Sequence, residues 1–116
     1  MSMDFGTITK KTSYTLIEIL VERLDIQIST QLKSELVQLN GNLEKNIVLD
    51  LTKCTYCDSS GLSAILVANR LCKNSKGTFV LCGLQEAVSR LISISQLESI
   101  LNIVENKEKA EEFLLS

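Results

Sequence analysis

Apolar and polar positions along this chain switch between two periods, and the switches lay out its elements. Residues 14–21 (YTLIEILV) are rich in β-branched and apolar side chains and predict a strand; residues 5–9 ahead of them pair with it across the polar segment 10–13 as an opening hairpin. After Asp25, Leu32, Leu36, Leu39 and Leu43 recur at i, i+4, i+7 and i+11, with Gln31, Lys33, Glu35 and Gln38 outside that stripe. The spacing predicts an amphipathic helix, capped at its start by Ser29 or Thr30 and ended near Gly41. Residues 46–51 (NIVLDL) suit a short strand buried on both faces, and therefore a central one. Leu62, Ile65, Leu66, Asn69 and Cys72 return to helical spacing until the polar segment 73–77, so a second helix runs from about residue 60 to about residue 74. Residues 78–82 (TFVLC) give the next strand. Beyond Gly83, Ala87, Val88, Leu91 and Ile92 define a short helix, residues 97–101 a turn or helical piece, Ile103 and Val104 a short edge strand, and Ala110, Phe113 and Leu114 a closing helix.

Strands alternating with helices after a hairpin imply crossover connections, with helices covering apolar sheet surface. The expected class is α/β: a mixed, mostly parallel sheet of four to five strands after an N-terminal hairpin, flanked by about four helices. With 116 residues, no proline and no internal repeat or linker, the chain reads as one domain over residues 1–116. Its aromatics are two Tyr and three Phe with no Trp, so the core is built from Ile, Leu and Val.

Charge narrows the partners. Twelve basic and fourteen acidic residues leave a net charge of −2, without the basic footprint that direct binding to nucleic acid or an anionic membrane requires. The N-terminal residues carry no signal-like apolar run and no stretch reaches membrane-spanning length, so the expected location is the cytoplasm, without membrane insertion. The four cysteines, Cys54, Cys57, Cys72 and Cys82, then read as reduced thiols packed as small hydrophobes. There is no histidine, which removes the usual general base and the commonest metal ligand. No catalytic residue, metal site or cofactor is expected.

The informative stretch is Cys57-Asp58-Ser59-Ser60-Gly61-Leu62, where a buried strand gives way to a helix. Unpaired backbone N–H groups and the positive end of the helix dipole favour negative charge there, so a phosphate on Ser59 would be tolerated. From the letters alone the simpler role is an N-cap, with Asp58, Ser59 or Ser60 contributing roughly 1 kcal/mol. A serine hydrolase would need a base and a G-x-S-x-G elbow, and neither is present.

The run Ile47-Val48-Leu49-Asp50-Leu51, a six-residue connector and then Asp58-Ser59-Ser60-Gly61-Leu62-Ser63-Ala64-Ile65-Leu66 resembles the core of STAS domains, particularly the bacterial anti-sigma factor antagonists. Leu24-Asp25 ahead of the first helix, residues 77–82 as a strand and residues 88–91 as a helix extend the likeness over most of the chain. The resemblance implies a protein without chemistry of its own. Its unphosphorylated form would bind an anti-sigma factor that is also a serine protein kinase, freeing a sigma factor; phosphorylation would block binding, and a PP2C-type serine phosphatase would reset it. Carried over by residue, it makes Ser59 the phosphoacceptor, with Ser60 its nearest competitor. Asp25 and Asp58 flank the acceptor, Gly61 and Leu62 shape the helix start, and together these residues form the partner-binding set. The sequence departs from the family at Glu22, where Gly is common; a Glu22-Arg23 pair at the interface rim implies a differently charged partner.

Three other readings compete. A STAS-like scaffold subunit of a transport or signalling assembly would bind its partner regardless of the state of Ser59. Cys54-Thr55-Tyr56-Cys57 is a C-x-x-C, which raises a thiol redox or metal role, although both cysteines precede the helix and Asp58 would raise a neighbouring thiol's pKa. A receiver domain phosphorylated on Asp50 would need an acidic pair after the first strand, which residues 14–24 do not supply; Asp50 reads as a polar strand-end residue. The charged run 105–112 reads as solvated helix surface.

Overall fold

The computed structural model describes residues 2–115. Its strands are β1 (Ser2–Met3), β2 (Gly6–Lys10), β3 (Thr15–Ile19), β4 (Arg23–Leu24), β5 (Ile47–Asp50), β6 (Tyr56–Cys57), β7 (Phe79–Cys82) and β8 (Asn102–Val104). Its helices are α1 (Ile26–Gly41), α2 (Ser59–Asn74), α3 (Glu86–Ile94) and α4 (Lys107–Leu115). The main sheet has the order β1-β2-β3-β5-β7-β8, antiparallel in the opening hairpin and parallel from β3 onward. The hairpin, central β5 and edge β8 stand where the apolar pattern put them, and the two-residue β1 adds an outer strand.

Alternation along the parallel strands divides the interior between two faces. Ile17, Ile19, Ile47, Leu49, Phe79 and Leu81 meet Leu32, Leu36, Ile65, Ala68, Val88 and Ile92 of α1, α2 and α3. Leu16, Val48, Val80 and Cys82 point the other way, beneath Ala110 of α4. Strands buried on both sides read as continuous apolar runs, and β5 and β7 are buried at every residue. The run 105–112 is more than solvated surface, because two of its residues tie α4 to the sheet. Tyr14 Oη donates to Glu111 Oε2 at 2.6 Å, and Lys107 Nζ pairs with Glu18 Oε2 at 3.0 Å. Phe113, expected on the packed face, is 42% exposed while Ala110 and Leu114 carry the packing.

Two details of α1 correct the sequence reading. Its N-cap is Asp25, whose carboxylate accepts from the Ile28 N–H at 3.2 Å; neither Ser29 nor Thr30 caps it, because the helix begins at Ile26. The helix ends at Gly41, as its pattern predicts, but Leu43, the supposed fourth member of the stripe, sits beyond the C-cap Asn42 with φ 67° and 87% exposure. The turn that ends the helix needs one left-handed residue, and the chain places Leu43 there instead of a glycine.

Ser29 is fully buried and its hydroxyl has no hydrogen-bond partner. An orphaned buried hydroxyl costs about 1–3 kcal/mol, and alanine is the better helix former. Ser29→Ala is therefore expected to raise stability by about 1 kcal/mol in a urea titration; an unchanged or lowered midpoint would contradict this reading of the site.

Candidate functional site

A second, separate sheet of two short parallel strands organises the site. Arg23 pairs with Tyr56 and Leu24 with Cys57, while the Glu22 carbonyl accepts the N–H groups of Thr55 at 2.9 Å and Tyr56 at 3.1 Å. Each strand leads directly into a helix through an extended aspartate, Asp25 into α1 and Asp58 into α2. The pairing thus sets two capped helix N-termini side by side. No periodicity could have announced it, since each strand is two residues long.

Asp58 is consumed by capping. Its Oδ1 accepts the backbone N–H groups of Ser60 at 3.0 Å and Gly61 at 3.2 Å, and the Ser60 hydroxyl at 2.5 Å. That hydroxyl bond, helped by the two backbone N–H groups, holds the Asp58 carboxyl below the usual carboxylate range against a smaller opposing effect of burial. Asp25 plays the matching part on α1. Both acidic residues of the expected partner-binding set are therefore helix caps.

Ser59 and Ser60 are thereby separated. Ser59 is the first residue of α2 and exposed, while Ser60 is half-buried with its hydroxyl donated to Asp58. Gly61 and Leu62 face inward. A Cβ on Gly61 would stand 2.5 Å from Cys57 Sγ and 2.7 Å from the Leu24 carbonyl oxygen, so only glycine lets α2 approach β4 this closely. Leu62 is 9% exposed and belongs to the core beneath. Of the six sequence-derived residues, Ser59 presents its side chain outward, and the other five build or cap the elements that hold it.

Removing the cap has a defined consequence. Asp58→Ala is expected to lower stability by about 1–2 kcal/mol, and Asp58→Asn, which keeps an acceptor oxygen, by less. Because the folded-state pKa lies below the unfolded value of about 4, the advantage of Asp58 is complete above that pH and disappears as pH falls through the folded pKa. Denaturant midpoints of wild type and Asp58→Ala should therefore converge in acid; a gap independent of pH would show that the charge plays no part.

The C-x-x-C pair offers little chemistry. Burial, then Asp58 and Cys54, push the Cys57 thiol up to about 12, and burial with Asp50 pushes Cys54 up to about 11. Both are protonated near neutral pH, the reverse of what an attacking or metal-binding thiol needs. Cys54 is packed in the core with its thiol directed to the Val21 carbonyl at 3.4 Å. Among the described residues, no cluster of three or more His, Cys, Asp or Glu side chains could hold a metal ion, and no helix is long and apolar enough to cross a membrane. Asp50, at the end of β5, accepts the N–H and hydroxyl of Thr52, which ties down the loop that follows. A cleft of about 320 Å³ opens beside it, but its Lys107 and Glu18 are already paired.

Comparison with known proteins converges on one family. The family model described as the STAS domain matches residues 7–110. The chain is 32% identical over 80 residues, 69% of each protein, to BtrV of Bordetella bronchiseptica, a candidate anti-sigma factor antagonist. A candidate anti-sigma factor antagonist of Thermotoga maritima superposes with a TM-score of 0.89 at 19% identity, covering 97% of both chains. The anti-sigma factor antagonist SpoIIAA superposes in its unphosphorylated form with a TM-score of 0.76 at 15% identity, covering 96% of this chain and 98% of that one. Its phosphorylated form, from Bacillus, gives 0.73 at 15% identity, covering 93% and 98%.

Proposed function

From the premise that the chain belongs to the STAS domain family, we propose that it is an anti-sigma factor antagonist whose unphosphorylated form binds an anti-sigma factor, itself a serine kinase, and that phosphorylation of Ser59 switches it off. The observation that carries this reading is the contrast between the two adjacent serines. Ser59 is exposed at the first position of α2, and Ser60 is held by Asp58. A kinase reaches the first hydroxyl without disturbing the fold, whereas the second would have to leave its acceptor.

The electrostatics suit a reversible switch. A phosphate adds about −1.5 to −2 charge and three acceptor oxygens. At the N-terminus of α2 it meets the positive end of the helix dipole, so the fold accepts it. A partner docked on the same surface does not, because it would have to desolvate that charge beside the carboxylates of Asp58 and Asp25. The modification acts on binding and leaves the protein folded. A PP2C-type serine phosphatase is the fitting reset, because it removes the charge without touching the scaffold.

The test is intact-mass analysis of wild type, Ser59→Ala and Ser60→Ala after incubation with ATP and a lysate of the source cells, with kinase activity verified on another substrate. The expected result is one added phosphate on wild type and Ser60→Ala, and none on Ser59→Ala. An unmodified wild type would favour the scaffold reading, in which the same surface binds a partner constitutively.

A further inference from the structure

Strands β4 and β6 do more than align two helices, because their outward side chains set a guanidinium over an aromatic ring at the border of the Ser59 site. Arg23 and Tyr56 are register partners, and Arg23 Cζ lies 3.9 Å from the centroid of the Tyr56 ring. Arg23 is exposed and Tyr56 is 37% exposed. The ion pairs among the described residues are Lys10–Glu44, Arg90–Glu86, Lys107–Glu18 and Lys109–Glu112, so Arg23 has no carboxylate partner although Glu22 and Asp25 lie close in sequence. Stacking restricts the side chain and leaves its planar fork of N–H donors unclaimed. That is the geometry in which arginine binds a carboxylate with two parallel hydrogen bonds.

The stack lies within reach of anything that covers Ser59. Tyr56 and Ser59 are three positions apart, at most about 10 Å of chain. A standard interface buries about 800 Å² on each partner, a patch on the order of 30 Å across. Beside the stack lies a shallow depression of about 440 Å³ whose lining includes Leu20, Val21, Arg23, Asp25 and Ile28. Leu20 there is 52% exposed. Leu20, Val21 and Ile28 give the depression an apolar part, Glu22, Asp25 and Gln27 a polar border, and the stacked Arg23 is the cation on its lining, a mixture that suits an interface anchor.

Resting on the reading of Ser59 as the switch, we infer that the Arg23–Tyr56 stack is the contact by which this protein selects its own serine kinase, with an Asp or Glu carboxylate of that kinase bound across the Arg23 fork. The unclaimed fork favours this occupant: docking brings a carboxylate to a guanidinium that has no carboxylate partner, while the neighbouring Glu22 and Asp25 confine a matching acid to the fork itself. Specificity then comes from the requirement for an acid at one place in the partner, within a surface otherwise bordered by Glu22 and Asp25.

The experiment uses the purified kinase that modifies Ser59 and measures its calorimetric Kd for unphosphorylated wild type, Arg23→Ala, Arg23→Lys, Tyr56→Ala, the Arg23→Ala/Tyr56→Ala double variant and Ser59→Asp. Arg23→Ala is expected to weaken binding at least tenfold and Arg23→Lys nearly as much, because an ammonium cannot fork. Tyr56→Ala should follow, and the double variant should lose less than the product of the singles. Melting temperatures should stay near wild type, since both side chains are exposed. Arg23→Ala and Tyr56→Ala within twofold of wild type, with binding lost in Ser59→Asp, would overturn the inference and leave the switch standing. Failure of Ser59→Asp to weaken binding would remove both.

Discussion

Replacing Gly61 by valine is expected to lower stability by about 3 kcal/mol, roughly 10 °C in Tm for a chain of this size, and to weaken partner binding as well. The cause is local. The added Cβ would meet Cys57 Sγ at 2.5 Å and the Leu24 carbonyl oxygen at 2.7 Å. The thiol can rotate, but the carbonyl belongs to the β4 backbone and can move only if the ribbon opens. Gly61→Ala meets the same obstacles while gaining about 1 kcal/mol of helix propensity, so a loss of about 1 kcal/mol is expected there. A valine variant as stable as wild type would show that α2 can slide away from β4 freely, and the alignment of the two capped helices would lose its significance.

Ser59→Asp is expected to weaken binding to the anti-sigma factor about 100-fold or more, with Ser59→Ala within a few-fold of wild type. A hundredfold change corresponds to about 2.8 kcal/mol. An aspartate carries roughly half the charge of a phosphate, but on the proposed docking surface it would have to lose its water beside the capping carboxylates of Asp58 and Asp25. Both variants should fold as wild type does, because position 59 is exposed and an acidic residue in the first turn of a helix is favourable. Equal affinities for Ser59→Ala and Ser59→Asp would instead describe a scaffold that ignores this position.

The parts of the molecule that were legible in its sequence are those whose signal is repeated. β5 and β7 show themselves as continuous apolar runs, α2 as a stripe sustained over its whole length, and the junction at Asp58-Ser59 as a change of period with cap residues at the change. What escaped had no period to show. The ribbon of β4 and β6 consists of two dipeptides, too short for any alternation to show, paired across the whole length of α1 and β5. The left-handed Leu43 extends an apolar spacing by accident of its position after the helix. Ser29 and Thr30 have the chemistry of a cap for α1, but so has Asp25, which stands directly ahead of Ile26 as Asp58 stands ahead of Ser59. That repetition of an aspartate before a helix was the available sign.

Reading Asp25 and Asp58 as caps also changes what a variant at either position means. Loss of binding in an alanine variant there would follow from a displaced helix start as readily as from a lost contact, and only the amide variant, which keeps an acceptor, separates the two. Ser59, Arg23 and Tyr56 are free of that ambiguity because their side chains point outward from elements fixed by other residues.

The measurement that tests the account most directly is the affinity of the anti-sigma factor for the same protein before phosphorylation, after stoichiometric phosphorylation of Ser59, and after treatment with a PP2C-type phosphatase. Binding that falls at least a hundredfold on phosphorylation and returns on dephosphorylation, with an unchanged melting temperature, is the result predicted. Binding that is the same in all three states would contradict the switch and leave Ser59 as an ordinary exposed residue at a helix start.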